Sequence, residues 1–235
     1  MKAILLAAGL GSRLRPLTDS VPKCLIPING KPLLNYWLEL LFINQDISDI
    51  ILNLHYLAED VKDFVSSSPW KEKITFSHEK ILLGTAGTIL NAKDFLGDQS
   101  FMVVHADNLS RFVVKDFIDS HNNRPKKCAI TMMIFETDQP KNCGIVELDS
   151  DGIVMDFFEK IENPPSNLAN GAVYIFEPEV LDYLLTFKKP IIDLSTEVLP
   201  NFLGRINTYF NDEYHRDIGT HESLKKAKVD FNYEN

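Results

Sequence analysis

Apolar positions in the first 125 residues alternate between two periods. Residues 3–8 form an unbroken apolar run stopped by Gly9, the pattern of a parallel strand buried on both faces. Beyond a polar loop, Leu34, Trp37, Leu38 and Leu41 recur at i, i+3, i+4 and i+7 behind Pro32, which predicts a helix with one apolar face. A second strand is predicted over 50–54, and a second helical stripe at Leu57, Val61, Phe64 and Val65. Strands over 74–78 and 101–105, with a helix over 86–95 between them and another near 113–121, continue the series. Such alternation predicts an α/β sheet with right-handed parallel crossovers.

From Cys128 the texture changes. The runs at 128–135, 143–149, 152–158 and 171–176 are rich in β-branched and aromatic residues and are separated by Pro, Asn, Asp and Gly, which predicts strands of a mixed sheet. Helices over 195–203 and 218–228 flank a strand over 206–210. No repeat, low-complexity segment or Ser/Pro linker interrupts the chain, so one domain over 1–235 is expected, with a loose tail after Asp230.

Composition narrows the class. With 235 residues, 45% hydrophobic, 24% charged and 10% aromatic, the chain can bury a sizeable core and is neither disordered nor fibrous. No run of eighteen apolar residues is present, so no membrane span is expected. The short apolar start around Lys2 resembles a secretory signal only until the glycines, and reads as part of the mature protein. Cys24, Cys128 and Cys143 have no zinc-type spacing; an odd number without a secretion signal points to reduced thiols in a cytoplasm. A net charge of −9 argues against a nucleic-acid surface but allows a local basic pocket for a phosphorylated small molecule.

The densest chemistry follows the first strand. Gly9, Gly11, Ser12, Arg13, Arg15 and Lys23 lie within one loop at a strand's carboxyl end, where open α/β sheets hold their ligands. Glycines let backbone N–H groups approach phosphate oxygens, and the three cations add positive charge. Leu14 stands where a dinucleotide fingerprint needs its third glycine, and no Gly-Lys-Ser/Thr follows, so neither that motif nor a P-loop fits. The competing reading is a surface turn with solvated arginines.

Gly9-Leu10-Gly11-Ser12-Arg13-Leu14-Arg15-Pro16-Leu17-Thr18 followed by Pro22-Lys23 resembles the amino-terminal motif of the sugar 1-phosphate nucleotidylyltransferases. The resemblance continues at Leu83-Gly84-Thr85-Ala86-Gly87, Asp107, Phe158-Glu159-Lys160, Asn170-Gly171 and Asp217-Ile218-Gly219-Thr220, in the family's order and over almost the whole chain. It implies a Rossmann-like three-layer α/β/α fold of glycosyltransferase-A type with a mixed, mostly parallel sheet. It also implies Mg²⁺-dependent attack of a sugar 1-phosphate on the α-phosphorus of a nucleoside triphosphate, releasing pyrophosphate. Residues 1–125 would then bind nucleotide and 126–230 the sugar phosphate.

By that resemblance Arg13 faces the triphosphate, Lys23 the α-phosphate and Lys160 the incoming sugar phosphate. Such a reaction needs charge neutralisation and in-line positioning above all. Nucleotide contacts are expected from Ala8, Gly9, Gly11, Ser12, Arg13, Lys23, Glu79, Gly84, Thr85 and Asp107, and sugar-phosphate contacts from Gly144, Glu159, Lys160, Asn170 and Gly171. Asp107 and Asp217 are the expected Mg²⁺ ligands; read alone, each would cap a turn or helix. Likewise, Glu159 and Lys160 read alone are an exposed ion pair on a strand. His105 and His215, beside the aspartates, read as structural histidines, since a lone magnesium rarely takes imidazole.

Ala106 stands where many relatives carry glycine. Glu79 can only accept hydrogen bonds, which favours guanine, with two adjacent donors, over uracil, with one. Ala7-Ala8-Gly9 points instead to uridylyl or cytidylyl members. Asp193 reads first as a helix N-cap and second as a sugar contact, and Cys24 first as a small apolar residue and second as a reactive thiol. Cytidylyl transfer to a phosphorylated alcohol such as phosphocholine and a non-catalytic nucleotide-sugar sensor are the alternatives. The additional carboxy-terminal module of some relatives is not expected, and a monomer and a homodimer are both compatible with the sequence.

Overall fold

The computed structural model describes residues 1–231; residues 232–235, most of the tail expected to be loose, lie outside the described residues. The first half holds β1 (Lys2–Leu6), a short hairpin of β2 (Pro27–Ile28) and β3 (Lys31–Pro32), α1 (Leu33–Phe42), β4 (Asp49–Leu54), α2 (Ala58–Ser66) and β5 (Ile74–His78). There follow α3 (Gly84–Asn91), α4 (Lys93–Leu96), β6 (Phe101–His105), β7 (Asn108–Arg111) and α5 (Val114–Asn122). The remainder comprises β8 (Ile130–Glu136), β9 (Gly144–Leu148), β10 (Val154–Glu159), β11 (Leu168–Phe176), α6 (Pro178–Leu184), β12 (Ile206–Phe210), β13 (Tyr214–Asp217) and α7 (His221–Asp230).

A nine-stranded mixed sheet runs β10-β9-β11-β6-β1-β4-β5, with β8 beside β11 and β12 beside β8. β6, β1, β4 and β5 are parallel, and β11 joins them antiparallel to β6. β1 owes its central place to its composition: Ala3 and Leu5 pack into one core, Ile4 and Leu6 into the other, and all four are buried. Buried residues of α1, α2, α5 and α7 join the first core, and those of α3, α4 and α6 the second, which makes the three layers. The stripe on α1 buries Leu34, Trp37, Leu38 and Leu41, each contributing about 1.5–3 kcal/mol by removal from water.

Three expectations change. The helix expected over 86–95 breaks at Ala92 into α3 and α4; Ala92 leaves helical geometry at φ −90°, ψ 4°. The helix expected over 195–203 is a π-turn over Leu194–Val198 followed by a 3₁₀ turn over Leu199–Phe202. Pro200 lacks the N–H that an α-helix would need there. The last helix starts at His221, not 218, because Thr220 accepts the Ser223 N–H and caps it.

Candidate active site

The glycine-rich loop leaves β1 at the carboxyl edge of the parallel strands. Gly11 adopts φ +61°, and a β-carbon there would lie 2.8 Å from Thr18 Cγ2, so only glycine fits. Leu14 is fully buried in the core, and the Thr18 hydroxyl donates to the Gly11 carbonyl at 2.8 Å, so the loop is pinned at both ends. Ser12 and Arg13, between these anchors, are exposed.

The loop's return brings Lys23 back under β1. Its side chain is only 7% exposed, and its ammonium lies 2.7 Å from Asp107 Oδ2 and 3.4 Å from Asp217 Oδ1. Asp107 occupies the turn between β6 and β7, while Asp217 ends β13, whose register sets it opposite Asn108 on β7. This two-stranded ladder carries the carboxylates together across 110 residues of sequence. Arg13 Nη2 approaches the other Asp217 oxygen at 3.7 Å. Burial opposes the Lys23 charge, but Asp107 and Asp217 outweigh it and hold the ammonium above its ordinary range. Burial likewise opposes the Asp107 charge, and Lys23 reverses the effect, holding that carboxyl below the usual range.

Beside this cluster opens a cavity of about 200 Å³. Ala8, Gly9, Lys23, Glu79, Gly84, Thr85 and Asp107, all expected at the nucleotide, line it. A second cleft of about 170 Å³, lined by Arg13, Asp138, Asn142, Arg216 and Asp217 among others, shares the Arg13–Asp217 pair. Gly144, Glu159, Lys160, Asn170 and Gly171 line neither; they form a separate group on β9, β10 and β11, with Lys160 the first residue beyond β10. Gly144 pairs with Glu159 across β9 and β10, and a β-carbon on it would meet Glu159 Oε2 at 2.8 Å. Lys160 is paired with Glu159 at 2.8 Å and is held at φ +51°, an uncommon backbone for a non-glycine residue. Asn170 donates to the Tyr174 hydroxyl at 2.7 Å, and the Gly171 carbonyl faces Asn108 Nδ2 at 3.5 Å.

Several side chains have structural work. The N–H groups of Ala86 and Gly87 donate to the Ile192 carbonyl at 3.0 and 3.2 Å, and the Thr85 hydroxyl accepts the Leu194 N–H at 2.8 Å. Gly84 is needed for that contact, since a β-carbon would meet the Ile192 oxygen at 2.6 Å. Asp193 accepts the Thr196 N–H and caps the π-turn. Cys24 is 1% exposed, and burial pushes its thiol up to about 12, so it is inert at neutral pH. Burial also depresses both nearby imidazoles, His105 and His215, the latter to about 3; the His215 ring packs against Phe135 at a tilt of 52°, centroids 4.4 Å apart. Sequence reasoning missed Asn53 and Thr88, which line the cavity; the one available signal was a polar residue inside the apolar run of β4.

A family model described as nucleotidyl transferase matches residues 2–233. The chain belongs to the nucleotidyl transferase family. The chain is 34% identical over 224 residues to the mannose-1-phosphate guanylyltransferase catalytic subunit beta of Drosophila pseudoobscura pseudoobscura, covering 93% of this chain. It spans 59% of that relative's length. A solved structure of HddC from Yersinia pseudotuberculosis, complexed with GMP-PN, superposes with a TM-score of 0.81 at 28% identity, covering 98% of this chain and 99% of that one. At 24% identity, a Bacillus anthracis structure in complex with sucrose superposes with a TM-score of 0.88 over 100% of this chain and 98% of its own, which shows the shared fold. No described helix is long and apolar enough to cross a membrane.

Proposed function

We propose that this nucleotidyl transferase moves a nucleotidyl group from a nucleoside triphosphate, GTP before UTP, to a sugar 1-phosphate, releasing pyrophosphate. The observation that carries the reading is the convergence of Lys23, Arg13, Asp107 and Asp217 beside a cavity walled by Gly9, Glu79 and Thr85. The guanylyltransferase relative and the GMP-PN complex support guanine as the base. Glu79 agrees with a base that carries a ring N–H, as guanine and uracil do, because a carboxylate accepts that N–H and cannot donate.

Residues 1–125 supply the nucleotide side and 126–230 the sugar-phosphate side. Lys23 carries its charge to the α-phosphate, where bond exchange occurs, and Arg13 balances the charge gathering on the departing pyrophosphate. Ala8, Gly9, Gly11 and Ser12 lend close backbone approach, and Gly84 and Thr85 close the cavity wall. Lys160 exchanges its Glu159 partner for the sugar phosphate, and Glu159 then accepts sugar hydroxyls together with the polar edge formed by Gly144, Asn170 and Gly171. Asp107 and Asp217 fit a magnesium ion, since both already converge on one cationic nitrogen, and two carboxylates plus phosphate oxygens suit a hard cation. Bound there, Mg²⁺ would supply a divalent charge to the phosphate oxygens. With its negative charge, and as a monomer or homodimer, the protein works in the cytoplasm without a nucleic-acid or membrane partner.

The test is pyrophosphate release with Mg²⁺, crossing GTP, UTP, CTP, dTTP and ATP against mannose, glucose, N-acetylglucosamine and heptose 1-phosphates and phosphocholine. One nucleotide and sugar pair should exceed the others by orders of magnitude. Silence of every pair, with nucleotide sugars still binding, would leave a sensor in place of an enzyme.

A further inference from the structure

Asn53 is a polar residue where the strand pattern calls for an apolar one. Ile50, Ile51, Leu52 and Leu54 around it on β4 are all buried, and Asn53 itself is 3% exposed. A buried carboxamide is costly unless its hydrogen-bonding groups are used. Here they are: Oδ1 accepts the Ala7 N–H at 2.6 Å, and Nδ2 donates to Glu79 Oε1 at 3.0 Å and lies 3.4 Å from Thr88 Oγ1. Ala7 is the first residue beyond β1, at the root of the glycine-rich loop. One side chain therefore ties the root of that loop to the Glu79 carboxylate across three neighbouring strand ends that line the cavity.

Glu79 is equally confined. It is 3% exposed, and among the described residues no cation pairs with it. Its Oε1 takes Asn53 Nδ2 and the Thr88 hydroxyl at 2.6 Å, and its Oε2 takes the Leu83 N–H at 3.1 Å. An ionised carboxylate offers about four acceptor sites, so three donors leave about one, on Oε2, in a residue that lines the cavity.

We propose that Asn53, with Thr88, is a positioning residue that holds the Glu79 carboxylate in one orientation, its remaining acceptor site toward the nucleobase, and fixes that site relative to the phosphate-binding loop. The proposal rests on the nucleotide reading of the cavity given above. A single fixed acceptor takes the ring N–H of guanine or uracil and opposes the ring lone pair that adenine and cytosine present at the same edge. Selectivity between these two classes of base is then a property of the Asn53–Glu79–Thr88 group, and not of Glu79 alone.

The experiment compares kcat/KM for GTP, UTP, ATP and CTP, with the best sugar 1-phosphate of the wild-type enzyme, in Asn53→Leu, Thr88→Val and Thr88→Ser. Thermal melting reports the fold of each. In Asn53→Leu and Thr88→Val the preferred nucleotide should lose at least about 10-fold more than ATP and CTP, because a freed carboxylate no longer rejects them. Thr88→Ser keeps the hydroxyl and should retain the ratio. A merely structural role would lower all four nucleotides by one factor, and that result in Thr88→Val overturns the proposal even if Asn53→Leu fails to fold. A selective wild type whose ratio survives in both variants sinks the positioning role alone; a wild type silent with every nucleotide sinks the functional reading as well.

Discussion

Gly219 allows Arg13 to be moved without being altered. A β-carbon at this position would lie 2.4 Å from Arg13 Nη2, 2.9 Å from its Cζ and 2.9 Å from Asp217 Oδ2, where ordinary contact begins at 3.4 Å, so Arg13 must move most and the Asp217 carboxylate by less. In Gly219→Ala the guanidinium must therefore retreat by about 1 Å. The Arg13 side chain is 63% exposed, so it can retreat without moving the backbone, and Gly219 is not among the residues with positive φ. Stability should thus change by less than about 1 kcal/mol. Activity should respond far more, since misplacing a group at the reacting centre by about 1 Å costs about 100-fold. Pyrophosphate-release kinetics should give a kcat/KM down by about two orders of magnitude, equivalent to about 2.7 kcal/mol of transition-state stabilisation, with the melting temperature little changed. Arg13→Ala sets the size of the Arg13 share, and any further loss when Gly219→Ala is added to it reports the displaced Asp217 carboxylate. Wild-type kinetics in Gly219→Ala, or in Arg13→Ala, would refute the assignment of Arg13 to the phosphates.

Other substitutions probe other parts of the molecule. Asp107→Asn should abolish turnover while circular dichroism and melting stay near wild type, because Lys23 keeps Asp217 as a partner; near-wild-type activity would remove Asp107 from the metal site. Gly84→Ala should destabilise by about 2 kcal/mol or more in denaturant titration, from a residue at φ +74° and a contact of 2.6 Å with the Ile192 carbonyl, whereas Gly9→Ala, whose β-carbon would meet nothing within 4 Å, should leave stability alone and raise KM for the nucleotide. His121 is buried, with Glu177 at Nε2 and Thr131 at Nδ1, both 2.8 Å away, and Arg124 and Ser100 on the same carboxylate. Burial depresses this imidazole more than Glu177 raises it, so the unfolded chain takes the proton first and stability falls as pH drops below about 6.5. Chemical denaturation from pH 7 to 5 should show a shallower loss in His121→Gln, and equal slopes would refute it.

Much of this was legible in the residues, for physical reasons that differ by element. An unbroken apolar run can only be satisfied between two layers, so β1 was readable as central, and α1 was readable from its stripe. Glycine beside arginine and lysine at a strand's end is equally transparent, because backbone approach and positive charge are what phosphate needs. β7 and β13 were not visible: Asn108–Arg111 and Tyr214–Asp217 carry no apolar alternation, so the ladder that unites Asp107 with Asp217 appears only in three dimensions. The break at Ala92 has no local cause either, since alanine favours helix, and the redirected turn sends Leu96 into the second core. Pro200, by contrast, could have limited the helix expected over 195–203. Asn53 was hidden by its own strand, whose hydrophobic neighbours gave no hint that its partners lie just beyond β1, just beyond β5 and on α3.

The way the two halves of the chain are interleaved bears on whether either could exist as a fragment. β11 lies against β6, so a piece ending near residue 125 would leave a central strand with an open edge of unpaired N–H and C=O groups. The same cut would strip the start of α3 of the Ile192 carbonyl that receives two of its N–H groups. Nucleotide and sugar-phosphate sides are therefore divisions of labour within one folding unit, and separately expressed halves should be recovered in soluble form only when co-expressed, by mutual complementation.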